Sequence, residues 1–349
     1  MEARTGNTPA AAASVPMAEQ LREFVVRYGV IAITIFLIVF FVATEDTFRK
    51  STTLLSVLKY ASVIAIGGLG VTTAMVVGGI DLSIGGVAGM AVTISAMTMV
   101  IYNQIGIIAI AAVLISGAFV GLVNAFLIVR LRIPDMLATL AVMFVVQGAK
   151  LIFVNGQSVS SGMPLPDGSF AIGHFTPDFL AIDAGFVGPI PMPVMILIVI
   201  TLAMWVFLTR TRWGRILYAI GANPEATRLA GISVSRYRAL AYVVSGLLAA
   251  VAGLILSSRI GQGDISAGNS LLLDSVAVAL VGMSVMGLNL PNAWGTTLGA
   301  ILLGTLVTGL TIAAVPYYAQ DVVKGLVLVV ALIFSFTLSR KKARYVSAV

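Results

Sequence analysis

The chain has 349 residues, 59% of them hydrophobic and 10% charged, with no cysteine, one histidine and a formal net charge of +7. A soluble domain carries roughly 25% charged residues, so this composition indicates a membrane protein. Without cysteine there are no disulfides, thiol nucleophiles or cysteine metal sites, and the lone His174 cannot supply a two-histidine metal motif.

The first 20 residues (MEARTGNTPAAAASVPMAEQ) are polar, Ala-rich and interrupted by Pro9 and Pro16. They lack the apolar core of a secretory signal. Residues 1–27 are expected to form a flexible cytoplasmic tail. Apolar stretches of about 20 residues, the length a helix needs to cross about 30 Å of hydrocarbon, then recur along the chain. They lie near 28–44, 56–77, 84–101, 106–129, 136–153, 192–209, 238–257, 272–288, 294–313 and 321–339. They are too long and too continuously apolar for barrel strands. The expected fold is therefore all-α, a polytopic transmembrane bundle of about ten spans over residues 28–339, with a basic tail at 340–349.

Basic residues orient such a bundle, because Lys and Arg in short loops stay on the cytoplasmic side. The 210–238 loop carries Arg210, Arg212, Arg215, Arg228, Arg236 and Arg238, and the tail carries Arg340, Lys341, Lys342 and Arg344. The 154–191 loop has Asp167, Asp178 and Asp183 but no Lys or Arg. Ten spans place the arginine-rich loop and both termini in the cytoplasm and leave Arg49, Lys50 and Arg259 as outer exceptions. Most of the positive charge is thus topological, and nucleic-acid binding is not indicated.

Two stretches break the apolar pattern in a structured way. In GGIDLSIGG (78–86), Asp81 suits the N-cap of a helix beginning at Leu82. The neighbouring glycines suit close helix packing, with Gly85 and Gly89 as a GxxxG pair. The functional alternative is that Gly78, Gly79, Asp81, Ser83 and Gly85 line a substrate path or its cytoplasmic gate. Irregular backbone at membrane depth is tolerated only beside protein or a water-filled cavity. In the 210–238 loop, Asn223 is placed to cap a helix of about 7 residues, with Pro224 at its first position, Glu225 at its positive end and Gly231 as a left-handed stop. So short a helix is unstable in water and must pack on its own bundle or on a partner. No GxxxxGK[ST] occurs, so any ATP hydrolysis belongs to another polypeptide.

GGIDLSIGG, GANPEATRLAGISVSRYR (221–238), IPDMLATLAVMFVVQG (133–148) and AWGTTLGAILLGTLVTGL (293–310) together resemble the permease subunits of bacterial ABC importers of the ribose, xylose, arabinose and autoinducer type. The similarity runs from about 55 to 338. GMSVMGLNLPNAW (282–294) departs from the glycine-richer turn of close relatives, which weakens any assignment of the sugar. The resemblance implies a transport subunit without catalytic residues or cofactor of its own. Its expected partners are a cytoplasmic ATPase that binds ATP and Mg, an extracytoplasmic sugar-binding protein and a second permease chain. It further implies that Asn223, Pro224, Glu225, Ala226, Arg228 and Gly231 form the coupling helix that meets the ATPase, and that the cargo is a monosaccharide, a pentose or related polyol. A nucleoside or autoinducer is the nearer alternative. An ion-coupled carrier is the more distant one, since such carriers bury ionisable residues in mid-span whereas the acids here sit at span ends and in loops.

Among isolated residues, Asp274 is expected to be a cap or interface residue, and Lys150 to snorkel to the outer boundary. Asn124 and Gln147 are expected to form interhelical hydrogen bonds. His174 should be a solvated loop residue, and Trp205, Trp213 and Trp294 should sit in interfacial belts.

Overall fold

A computed structural model describes residues 17–165, 167–285 and 290–346, so residues 1–16 of the expected tail, residues 347–349 of the basic tail and residues 286–289 of the divergent turn lie outside the described residues. Among the described residues thirteen α-helices follow in chain order. These are α1 (Met17–Thr44), α2 (Ser51–Val76), α3 (Ile84–Ala96), α4 (Gly106–Ala125), α5 (Asp135–Phe153), α6 (Pro177–Ala184), α7 (Met192–Arg210), α8 (Arg212–Ala222), α9 (Pro224–Leu229), α10 (Val234–Ile260), α11 (Asn269–Gly282), α12 (Ala293–Ile312) and α13 (Tyr317–Val346). Helices α3 and α4 each run on into a wider final turn, Met97–Ile101 and Phe126–Arg130.

Among the described residues seven helices are long and apolar enough to cross a membrane: α2, α3 and α4 with their wide turns, α5, α7, α10 and α12. Tyr28–Thr44 of α1 and all of α11 are apolar but shorter. The all-helical membrane bundle is therefore present. Every expected stretch corresponds to a helix, although α11 ends at Gly282, earlier than the 272–288 pattern suggested. Both outer helices also run past the expected limits. The α1 helix starts at Met17 because MAEQLRE is built of strong helix formers, and α13 runs on through the strong formers RKKAR (340–344) and ends at Val346.

Helices α2, α3 and α10 form the centre, with α4, α11 and α12 packed around them. Glycine lets these helices approach closely. A Cβ on Gly246 of α10 would lie 2.3 Å from the Gly117 carbonyl oxygen of α4, and one on Gly304 of α12 would lie 2.9 Å from the Val57 carbonyl oxygen of α2. In lipid such close backbone contact replaces the hydrophobic drive that brings helices together in water.

The 154–191 segment is more ordered than a plain loop. It carries α6 and a two-residue hairpin, β1 (Phe186–Val187) with β2 (Ile190–Pro191), and buries Phe179 completely. It also neutralises charge at that end of the bundle. Asp183 pairs with Lys59 at 2.8 Å and with Arg259 at 3.1 Å, so Arg259 is held by an acid of the 154–191 segment. Arg49 likewise pairs with Asp46 at 3.0 Å.

Candidate functional site

The GGIDLSIGG stretch is the unwound link between α2 and α3. Gly78, at φ +84°, takes the left-handed position that closes α2. The Gly78 amide donates to the Met75 carbonyl and the Gly79 amide to the Ala74 carbonyl, both at 3.0 Å, satisfying the last carbonyls of the helix. Helix α3 then starts at Ile84, two residues later than Leu82, so Asp81 precedes the cap position, which Ser83 occupies.

Asp81 is fully buried and acts as a hub. One carboxylate oxygen accepts from the Ser83 amide at 2.8 Å and the Ser83 hydroxyl at 2.6 Å, and the other accepts from the Ser245 hydroxyl of α10 at 2.7 Å. Asn124 of α4 donates to the Ser83 hydroxyl at 2.8 Å, which is the interhelical bond expected of it. The Leu82 amide donates to the Thr139 hydroxyl of α5 at 3.1 Å. Side chains from three helices thereby satisfy the polar groups of a link that has no regular structure of its own. With both oxygens engaged and no solvent access, Asp81 does not face a water-filled path in this conformation.

The other residues of the stretch pack tightly. A Cβ on Gly85 would lie 2.8 Å from the Gly268 carbonyl oxygen, so Gly85 admits the turn before α11. A Cβ on Gly79 would lie 2.0 Å from Asp135 Oδ2 and 2.2 Å from the Tyr242 hydroxyl oxygen. Those two groups belong to a cluster that sequence reasoning missed. Arg238 of α10 donates to both oxygens of Asp135 at 2.7 Å, and the Tyr242 hydroxyl donates to Asp135 Oδ2.

Immediately beside this cluster lies the 210–238 region. It contains one helix that was expected and one that was not. In α9 the Asn223 side chain accepts from the Ala226 amide at 2.9 Å, Pro224 takes the first position, Glu225 pairs with Arg228, and Gly231 has φ +79°. The local signals for this helix thus hold in three dimensions. The preceding α8 is amphipathic, capped by Thr211, whose hydroxyl accepts from the Gly214 amide at 3.2 Å. Its Tyr218 donates to the Pro291 carbonyl at 2.6 Å, and burial pushes that phenol above its usual range, so it remains a donor. Residues of α9, the starts of α5 and α10 and the wide turn after α4 line an open cavity of about 530 Å³, with Arg132, Asp135, Glu225, Arg228 and Arg238 among them.

Lys150 does not snorkel. It is 2% exposed, and its ammonium points inward, donating to the Ala267 carbonyl at 3.3 Å beside Gly89. Asp274 is an interface residue, paired with Lys324 of α13 at 3.1 Å. Gln147 is half-buried and has no hydrogen-bond partner among the described residues. His174 is exposed in its loop. Trp205 and Trp294 lie 6.5 Å apart, with Arg210 over Trp205, and Trp213 packs on Tyr237.

Compared with known protein families, residues 53–332 match the family described as branched-chain amino acid transport system / permease component. The chain belongs to this family. It is 31% identical over 324 residues to the ribose import permease protein RbsC of Haemophilus influenzae, covering 93% of this chain and 97% of that one. It is 32% identical over 282 residues to the ribose import permease of Escherichia coli K12, covering 80% and 84% of the two chains. The xylose transport system permease protein XylH of the same organism is 28% identical over an alignment of 359 positions, covering 89% and 91%. No solved structure matches. The chain is a multi-pass inner-membrane permease of the sugar ABC importer type, a transport subunit rather than an enzyme.

Proposed function

We propose that this permease moves a monosaccharide, a pentose or a closely related polyol, into the cytoplasm in an importer driven by a separate ATPase that binds ATP and Mg. Near-complete coverage of ribose import permeases carries the proposal, and the xylose permease extends it to a second pentose. Ten spans with both termini in the cytoplasm fit the seven membrane-length helices, the shorter apolar stretches of α1 and α11, the expected 321–339 stretch in α13 and the arginines of the 210–238 region. Helix α9 is exposed, capped at both ends and flanked by charge, which suits a coupling helix in which Asn223, Pro224, Glu225, Ala226, Arg228 and Gly231 meet the ATPase.

Gly78, Gly79, Asp81, Ser83 and Gly85 then form the cytoplasmic gate, closed in this conformation, rather than a sugar-contacting surface. Buried Asp81 and close-packed Gly79 support that assignment. An extracytoplasmic sugar-binding protein delivers the cargo to the end carrying α6 and the hairpin, and a second permease copy or a similar chain completes the pathway.

The test is to purify the C-terminally tagged chain from its native membranes, identify what accompanies it and assay uptake in vesicles. A soluble ATPase should co-purify, and uptake of ribose or xylose should require ATP. Uptake by the chain alone, without ATP and collapsed by an uncoupler, would replace this proposal with an ion-coupled carrier. ATP-driven uptake of a nucleoside or autoinducer, with ribose and xylose excluded, would keep the permease and change the cargo.

A further inference from the structure

The break between α2 and α3 and the capped helix α9 are separate in sequence, yet a single face of α10 touches the break and reaches the cavity beside α9. Arg238, Tyr242 and Ser245 are spaced by four and three residues, so they share one face of the helix over about 10 Å. Arg238 lines the cavity that Pro224, Glu225 and Arg228 of α9 also line. One turn further along α10, Tyr242 donates to Asp135, which Arg238 also grips, and the Gly79 backbone lies directly against both groups. One turn beyond that, Ser245 donates to Asp81 at 2.7 Å. The same segment of α5 holds the break twice, through Asp135 against Gly79 and through the Thr139 hydroxyl on the Leu82 amide.

We infer that Asp135 is a positioning residue for transport: by holding Arg238 and Tyr242 of α10 while it packs on the Gly79 backbone, it makes a displacement of the α9 region move the α2–α3 break. The inference rests on α9 being the coupling helix of an ATP-driven permease and names the residues through which that coupling reaches the gate.

The geometry assigns the task to Asp135 for three reasons. Its carboxylate accepts from both α10 donors and lies against the break. Asp135 and the Tyr242 hydroxyl of α10 pack so closely on Gly79 that a single added carbon there would overlap both groups. The Arg238 Nε is also buried without a hydrogen-bond partner, so the guanidinium is held by Asp135 through its Nη2 end rather than by a full set of bonds. A contact made in this way can be released and remade as α10 shifts.

Because the natural chain has no cysteine, Leu82→Cys provides a clean probe of the break. The complex with its co-purified ATPase would be labelled with a maleimide with and without ATP and Mg, in the otherwise natural chain and with Asp135→Asn or Tyr242→Phe added. Co-purification and ATP hydrolysis would be measured on the same samples. In the natural background ATP should change the labelling rate of the probe. Asp135→Asn and Tyr242→Phe should reduce that ATP-induced change at least threefold while ATPase association and hydrolysis persist. Tyr242→Phe removes a single hydroxyl, so it keeps the test valid if Asp135→Asn assembles poorly. An undiminished ATP response in both variants overturns the inference and leaves the permease proposal standing, as does a probe that never responds in a complex that hydrolyses ATP. If no ATPase accompanies the chain, the functional proposal itself fails and the relay fails with it.

Discussion

Asp81 and Lys150 are both buried ionisable groups, but their surroundings differ, and so do the consequences of replacing them. Asp81 accepts from three donors, of which the Ser83 amide has no alternative partner in its own link. Removing the carboxylate leaves that amide unpaired at a cost of about 2 kcal/mol. Asp81→Ala is therefore expected to lower the detergent melting midpoint and abolish uptake. Asp81→Asn keeps one acceptor oxygen and should retain most of both, so full activity of the alanine variant would remove any role for the hub. Lys150 has one long hydrogen bond and, among the described residues, no carboxylate within ion-pairing distance. A buried charge with so little compensation contributes nothing to stability, and an apolar side chain of similar length is often as good or better. Lys150→Met is expected to leave the melting midpoint unchanged or raise it. A marked drop would show that the bond to Ala267 outweighs desolvation.

Helix α9 shows how much a short element depends on its ends. With six residues it cannot persist by propensity, and its amides rely on the Asn223 side chain. Asn223→Ala should weaken the helix by about 1 kcal/mol, which corresponds to roughly fivefold faster amide exchange across 225–229, while Asn223→Asp restores protection. Equal exchange in all three chains would show that packing, not the cap, holds α9. These cap signals were legible in the sequence because they act over three or four residues, whereas the left-handed position of Gly78 that closes α2 was not among the readings of its stretch. The second half of the site was not legible, because Asp135 and Arg238 are 103 positions apart and each reads as an ordinary end-of-helix charge. Lys150 was misread for a related reason. Its place near the end of α5 fits a snorkelling lysine, and the inward direction follows from the turn at Ala267 more than a hundred residues later. Helix α8 was hidden by its arginines, which read as loop charge until the apolar face of Leu217 and Ile220 is seen packed on the bundle.

At the scale of the whole molecule, hydropathy was sufficient to locate the apolar helices but not to say which of them touch. Lipid-facing and protein-facing apolar side chains look alike in sequence; what distinguishes them is where a missing side chain lets two backbones meet. The crossing of α4 and α10 is the clearest case. A Cβ on Gly117 would lie 2.6 Å from the Gly246 carbonyl oxygen and 2.5 Å from the Ala250 Cβ, and a Cβ on Gly121 would lie 2.6 Å from the Tyr242 carbonyl oxygen. This crossing sets the position of Tyr242 and Ser245, and hence of the groups that hold Asp81 and Asp135. Gly148 of α5 has nothing within 4 Å of the same hypothetical carbon. Gly246→Val must therefore push two helix backbones apart, an overpacking cost of about 3 kcal/mol, whereas Gly148→Val replaces a poor helix former at an open position and costs nothing in packing. Measured side by side in detergent, Gly246→Val should melt well below the natural chain and Gly148→Val at or above it. If both variants melt alike, the close contact of α4 and α10 is not what fixes the centre of the bundle. If only Gly246→Val falls, and uptake falls with it, the glycine crossing that positions the break is essential to the permease as a whole.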